Sequence, residues 1–276
     1  MHLIIQGSGI ETGDLKALAK ASAASAIERI SEHAFRLRNA SDSPGIAAVC
    51  ERARLDFALI PEHRKLAHFK LLVMDMDSTL ITIETIDELA DLVGLKREVA
   101  AITEQAMRGE IEYNESLRRR VAVLKGLDES ALQRVYDERV RLSPGAEILL
   151  AACKQYGIKT LLVSGGFTHV TDLLKPRLGL DYTHSNTLAV ANGKLTGEIV
   201  GDIVNADGKR DELLRIRDLL GIKREHIMGM GDGANDLKFM AECGVSIAYH
   251  AKPIVRGQTT HAINFGGLDA VVNLFN

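Results

Sequence analysis

The apolar run Leu71-Leu72-Val73-Met74 stops at two carboxylates, Asp75 and Asp77, with one methionine between them. The run is too short for a helix and reads as a buried strand. A carboxylate at the end of such a strand is expensive to desolvate unless a cation or a hydrogen-bond network offsets the cost. Two of them together call for a metal ion, and a carboxylate held beside a metal is able to attack phosphorus.

The remainder of the chain supplies the other strands of a sheet. Residues 146–156 read as a helix closed by Gly157, 159–163 as a strand and 169–178 as a helix. Residues 187–190 and 194–199 read as two strands joined at Asn192-Gly193, a favoured hairpin turn. Residues 209–220 read as a helix with Gly221 past its end, and 226–230, 245–249 and 262–265 as short apolar strands. This alternation predicts an α/β fold with a doubly wound, mostly parallel sheet. Between the first strand and that series, Ile86, Leu89, Ala90 and Val93 fall at helical spacing, as do Leu117, Val121 and Leu124. Gly94, Gly109 and Gly126 punctuate this stretch, which predicts a small helical cap inserted after the first strand. Upstream, 2–6, 34–37 and 55–60 read as strands and 14–30 as one alanine-rich helix. Residues 44–54 read as a second helix, capped by Ser43 with Pro44 in its first turn. The predicted division is a small N-terminal α/β unit over 1–65, a catalytic core over 66–82 and 146–276, and a cap over 83–145.

Composition bounds the partners. A chain of 276 residues, 46% hydrophobic, can bury a sizeable core. Its net charge of −3 gives no support for a nucleic-acid or polybasic membrane role. No apolar run approaches the roughly 20 residues of a membrane helix, and the N-terminus lacks the basic start and apolar centre of a signal peptide. Cys50, Cys153 and Cys243 are odd in number and scattered, matching neither a disulfide framework nor a zinc spacing. They fit buried thiols in a reducing cytoplasm, so a cytoplasmic enzyme with a small-molecule substrate is expected.

In open parallel sheets, ligands gather at the carboxyl ends of strands. Here those ends carry Asp75 and Asp77, then Ser164-Gly165-Gly166, then Gly231-Asp232-Gly233-Ala234-Asn235-Asp236, and Lys209 opens a helix between the latter two. The chemistry is coherent for a phosphate monoester, whose charge repels an anionic nucleophile. Mg²⁺ on oxygen ligands would offset that repulsion. Asp75 can be both ligand and nucleophile, and Asp232 can add a second carboxylate. Ser164 and the Gly165 amide can donate to phosphate oxygens, and Lys209 can neutralise developing charge. Asp77 can protonate the leaving oxygen and then activate the water that opens the intermediate. A calcium loop starting at Asp75 is excluded, because its sixth and twelfth positions would be Leu80 and Ile86 rather than Gly and Glu.

With these residues in view, the chain resembles the haloacid dehalogenase superfamily of phosphohydrolases, and within it the branch that hydrolyses O-phosphoserine. The resemblance runs from about residue 69 to the C-terminus. It rests on Asp75 to Thr79, on Ser164-Gly165-Gly166-Phe167, on Lys209, on the loop from Gly231 to Asp236, and on Tyr249-His250-Ala251-Lys252-Pro253. It implies Asp75 as nucleophile, Asp77 as general acid/base, and Mg²⁺ held by the Asp75 carboxylate, the Asp77 carbonyl and the Asp232 carboxylate. Asp236 would support Lys209 or the metal shell. Ser164, Gly165, Lys209 and Asn235 would bind the phosphate end of the substrate. Glu84 would receive a substrate ammonium and Arg120 a substrate carboxylate, with Met107 and Tyr113 lining the cap pocket. The implied reaction yields serine and phosphate, the last step of serine synthesis. A phosphatase or phosphotransferase acting on another small phosphate is the alternative. The N-terminal unit resembles ACT-like modules in topology alone, and a regulatory or dimerising role, with a homodimer as the assembly, is the expectation for it.

Overall fold

The computed structural model describes residues 1–276. Its N-terminal part runs β1 (His2–Gln6), α1 (Thr12–Ala21), β2 (Ala26–Ser31), β3 (Ala34–Arg38), α2 (Pro44–Ala53) and β4 (Asp56–Ile60). The four strands form an antiparallel sheet in the order β2-β3-β1-β4. The single helix expected over 14–30 is here a helix and a strand. The Ser22 hydroxyl bonds back to the Leu18 carbonyl at 2.8 Å, and Ala23 turns left-handed at φ 53°, ending α1. Residues 26–31 then find ladder partners in β3. Pairing overrides the helix preference of the alanines, a preference worth only tenths of a kcal/mol per residue.

The chain continues through β5 (Leu71–Met74) into four helices, α3 (Thr85–Asp91), α4 (Lys96–Met107), α5 (Tyr113–Val123) and α6 (Ser130–Arg139). Next come α7 (Ala146–Gln155), β6 (Lys159–Phe167), α8 (Thr168–Leu178), β7 (Tyr182–Ala191), β8 (Lys194–Val200) and α9 (Ala206–Leu220). The chain closes with β9 (Ile227–Gly231), α10 (Leu237–Ala241), β10 (Val245–Tyr249), α11 (Pro253–Arg256), β11 (His261–Ile263) and α12 (Ala270–Phe275). The seven-stranded sheet has the order β11-β10-β9-β5-β6-β7-β8, parallel except for the β7–β8 hairpin. Asn192 and Gly193 both take positive φ at that turn, as a two-residue hairpin of matching twist requires.

Strand alternation divides the core into two layers. Leu72 and Met74 of β5 face one layer with α7, α8 and α12, whereas Leu71 and Val73 face the other with α9 and α10. Burial on both faces explains why β5 reads as an unbroken apolar run. The four cap helices share a separate core around Leu89, Leu117, Val121 and Val135, into which Phe167, Leu188 and Leu195 also project. The cap is therefore seated on β6 and on the β7–β8 hairpin.

The N-terminal sheet is covered on one side only by its own helices. Leu3 and Ile5 pack under α1 and α2, while Ile4, Ala58 and Ile60 face the large core beside Phe275. Each fully buried aliphatic of this kind contributes about 1.5–3 kcal/mol. Asp56, buried at the start of β4, fastens the same junction. Its carboxylate accepts the backbone N–H groups of Asn264, Phe265 and Gly266 at 2.6, 3.1 and 2.8 Å. This also explains why β11 ends at Ile263 rather than at 265. No helix is long and apolar enough to cross a membrane.

Candidate active site

The carboxyl ends of β5, β6 and β9 lie side by side because these strands are neighbours or next neighbours in the sheet. Beyond Met74 the chain makes a compact turn, with Ser78 left-handed at φ 54° and its N–H bonded to the Ile83 carbonyl at 3.2 Å. That reversal keeps Asp75 and Asp77 at the sheet end and brings Glu84, at the start of α3, to 2.7 Å from the Ser78 hydroxyl. The result is a cavity of about 150 Å³ between core and cap. Asp75, Asp77, Ser164, Gly165, Asp232 and Asn235 line its floor side, and Glu84 and Arg120 come from the cap side with Tyr113. A drug-sized molecule needs about 300 Å³ or more, so only a small ligand fits.

Lys209 lies outside the lining, fully buried behind Asp75. It stands one turn inside α9 rather than at its start, because Asn205 caps that helix by accepting from Asp207 N and Gly208 N. The Lys209 Nζ lies 2.9 Å from Asp75 Oδ1 and 2.7 Å from Asp236 Oδ1. Asp75 Oδ1 also accepts the Met76 N–H at 2.7 Å. One oxygen of Asp75 is thus held on two donors, and the other is left to react or to ligate.

Ligand oxygens of Asp75, Asp232 and Asp236 all lie within 4.8 Å of one another. Burial is the main force on their protons. It pushes Asp75 well above the ordinary carboxylate range, with the Asp236 charge adding to the effect and Lys209 opposing it. Asp232 is pushed up to about 7 by burial and then by the charges of Asp236 and Glu84. The Lys209 pKa is raised as well: burial disfavours its charge, but Asp236 and Asp75 outweigh that and hold it protonated. With all three carboxylates ionised against one ammonium the site would carry an excess of two negative charges, which a divalent cation would remove while restoring the ionised forms that burial disfavours.

Asp77 is raised to about 6 by burial, and the Thr85 hydroxyl and N–H restrain the shift by donating to Asp77 Oδ1 at 2.5 and 3.1 Å. Glu84 is raised to about 7, first by desolvation in the cleft and then by the Asp77 charge. A carboxyl poised near neutrality can both give and take a proton, as general acid–base catalysis requires.

The glycines of β6 serve close approach. A Cβ on Gly165 would sit 2.2 Å from the Tyr113 hydroxyl, and one on Gly166 would sit 2.5 Å from Asp77 Oδ2. Gly166 N donates to Ser164 Oγ at 2.8 Å, leaving the Ser164 hydroxyl proton free to point into the cavity. Across the cavity, the buried Arg120 Nε has no hydrogen-bond partner.

The haloacid dehalogenase-like hydrolase model matches residues 72–241, most of the chain. The chain belongs to that family. Within it, this hydrolase is 55% identical over 216 residues to the phosphoserine phosphatase of Albidiferax ferrireducens, covering 76% of this chain and 91% of that protein. The unliganded structure of a probable phosphoserine phosphatase from Vibrio cholerae superposes with a TM-score of 0.87 at 36% identity, covering 99% of this chain and 86% of that one. A substrate-bound phosphoserine phosphatase complex gives 0.71 at 36% identity, covering 75% of this chain and 99% of that one. A domain family of unknown function, DUF4072, matches residues 3–46 of the hydrolase.

One expectation for the pocket fails: Met107 is 64% exposed at the end of α4, where its sulfur meets Lys252 Nζ at 3.7 Å, outside the cavity. Thr85 escaped the sequence reading, and the motif residues Thr79 and Phe167 carried no role in it. Thr85 holds Asp77, and the Thr79 hydroxyl holds Asp232 Oδ1 at 3.1 Å. Phe167, which closes the Ser-Gly-Gly stretch, lines the cavity while packing into the cap core. A threonine at the first position of a helix was the only available signal for the first.

Proposed function

We propose that this hydrolase converts O-phosphoserine to serine and phosphate through an aspartyl-phosphate on Asp75, the step that would complete serine synthesis. The observation carrying this reading is the unpaired, buried Arg120 Nε facing a cavity of about 150 Å³ that also holds Glu84 and Asp75. A guanidinium with free donors suits a carboxylate, Glu84 suits an ammonium, and Asp75 with Ser164 and Gly165 suits a phosphate. A small molecule bearing all three groups is an amino acid phosphoester. The names of the relatives agree with that chemistry.

Asp75 and Asp232 would hold Mg²⁺ with the Asp77 carbonyl, and their excess negative charge and all-oxygen donors fit a hard divalent ion. When bound, that ion would neutralise phosphoryl charge. The protein groups do the rest. The free Asp75 oxygen attacks phosphorus, and the bond to the serine oxygen breaks. Asp77, protonated at the pH where it titrates, gives its proton to that oxygen. Gly165 N–H, the Ser164 hydroxyl and Lys209 stabilise the charge that builds on phosphorus. Asp77 then takes a proton from water, which attacks phosphorus and returns Asp75. The cap, seated over the cleft by Phe167 and α5, excludes bulk water during the first transfer.

A phosphate-release screen over small phosphoesters, with and without Mg²⁺, tests the proposal. Phosphoserine should lead and chelation should abolish release. A different phosphoester leading by tenfold or more, or release that persists in chelator, would overturn the respective half.

A further inference from the structure

Between β6 and β7 the ladder loses its register. Val163 pairs with His184 and Phe167 with Asn186. Three residues, Ser164, Gly165 and Gly166, therefore lie opposite the single residue Ser185. The extra chain leaves the ladder and bends toward the cavity, as strand irregularities beside active sites do. A bulge of this kind strands a backbone carbonyl that the ladder would otherwise satisfy. Here the carbonyl of Gly165 is taken by a side chain: Asn186 Nδ2 donates to it at 2.8 Å.

The other end of the same amide is also engaged. Asn186 Oδ1 accepts the backbone N–H of Val204 at 2.8 Å. Val204 directly precedes Asn205, the residue that caps α9 and so fixes the first turn leading to Lys209. Asn186 itself is 1% exposed, with nowhere to relax. One buried carboxamide thus joins the glycine stretch that faces the cavity to the root of the helix carrying the buried lysine. The task needs a donor at one end and an acceptor at the other, at the length of one methylene. Aspartate lacks the donor, leucine lacks both, and glutamine is one carbon too long.

We propose that Asn186 is a positioning residue for phosphoryl binding: by holding the Gly165 carbonyl it fixes the Gly165–Gly166 peptide, whose N–H donates to Ser164 Oγ at 2.8 Å and so orients the Ser164 hydroxyl beside the Gly165 stretch that lines the cavity, and by holding Val204 it sets the start of α9 and with it Lys209. Asn186 does not line the cavity, so its effect passes through those two groups. The proposal rests on the phosphoryl-transfer reading of the site, but not on the identity of the leaving group.

The test uses the full-length enzyme with Mg²⁺, and reads two competitive inhibitors that probe opposite ends of the cavity. Orthovanadate occupies the phosphoryl end, near Gly165 and Lys209. Serine occupies the end near Glu84 and Arg120. In Asn186→Asp the acceptor for Val204 is kept and the donor to Gly165 is lost, with a carboxylate now against the carbonyl. The vanadate inhibition constant should rise tenfold or more and kcat should fall about a hundredfold, the size of effect that follows loss of one transition-state donor. The serine constant should stay within about twofold. Asn186→Ser, which removes both bonds without adding charge, carries the same expectation should the aspartate variant fail to fold. A parallel fall in affinity for both inhibitors would mark a merely structural role and overturn the proposal, as would vanadate affinity and kcat at the wild-type level. Wild-type enzyme that binds vanadate but not serine would refute the phosphoserine reading alone, and vanadate affinity and kcat on a generic phosphoester would then decide the role of Asn186.

Discussion

Replacing Arg120 by methionine should make the protein more stable while crippling it on one substrate. The Arg120 Nε is buried without a partner, and the guanidinium makes no hydrogen bond or ion pair within the chain. An unsatisfied buried donor costs about 1–3 kcal/mol. Methionine occupies similar volume without that donor, so most of the cost should be recovered. Part of the gain is offset, because the Arg120 charge favours the ionised forms of Glu84 and Asp87. A net gain of about 1 kcal/mol corresponds to a melting temperature higher by about 2–4 °C. On phosphoserine the variant loses a charge-assisted pair of bonds to the substrate carboxylate. At about 1.5–3 kcal/mol for each bond to a charged group, with incomplete additivity, kcat/KM should fall about 10²–10³-fold. An aryl phosphate lacks that carboxylate, and its turnover should change less than about threefold. The assays are thermal melting without ligand and steady-state phosphate release on both substrates. A variant that melts lower, or that loses both substrates equally, would refute the reasoning from the unpaired nitrogen.

Other consequences follow from the same structure. Thr85→Val removes the 2.5 Å bond that favours ionised Asp77, so the Asp77 pKa should rise above about 6 and the limb of the pH–kcat profile lost on raising pH should move to higher pH; an unmoved limb would separate Thr85 from the acid. Burial without a partner for Nε2 lowers the His261 pKa from 6.5 to about 4. Both states are neutral above 6.5, and below it the unfolded chain binds a proton that the folded chain refuses until about 4. Stability should therefore fall by about 3 kcal/mol as pH drops through that window, and urea melts of His261→Phe should lack this component. Asp56→Ala strips the shared acceptor from three backbone N–H groups and should destabilise the fold by about 3–4 kcal/mol in urea titration, with kcat unchanged in the folded fraction; a loss below about 1 kcal/mol would mean that the junction is held by its apolar contacts alone.

The parts of this fold legible in the sequence are those written locally. The run at 71–74 announces a doubly buried strand, Asn192-Gly193 announces a hairpin, and the glycines at 94, 109 and 126 mark helix ends, where each takes positive φ. The charged residues at the strand ends were legible for the same reason: burying acids beside an apolar run is a local contradiction that only a site resolves. What stayed hidden depends on partners far along the chain. Residues 26–31 carry helix-favouring alanine nearby, yet they pair with β3, whose outer backbone groups they satisfy. Asn186 is an unremarked polar residue in a strand until Gly165, 21 positions earlier, is seen to need its amide. Asp56 likewise looks like an ordinary acid near the start of a strand, and only the docking of residues 264–266, more than 200 positions away, reveals its task. The place of Met107 was inferred from the family resemblance alone, and no local feature marked that it would end α4 exposed, outside the cavity.

The most direct measurement is whether Asp75 becomes phosphorylated. Enzyme mixed with excess phosphoserine and Mg²⁺, quenched in acid within the first turnovers and digested, should yield a peptide containing Asp75 that is heavier by one phosphoryl group, and the label should vanish on a longer chase without substrate. Asp75→Asn should give neither the adduct nor phosphate release. Steady turnover with no adduct on Asp75 at any quench time, together with an active Asp75→Asn variant, would contradict nucleophilic attack by that carboxylate.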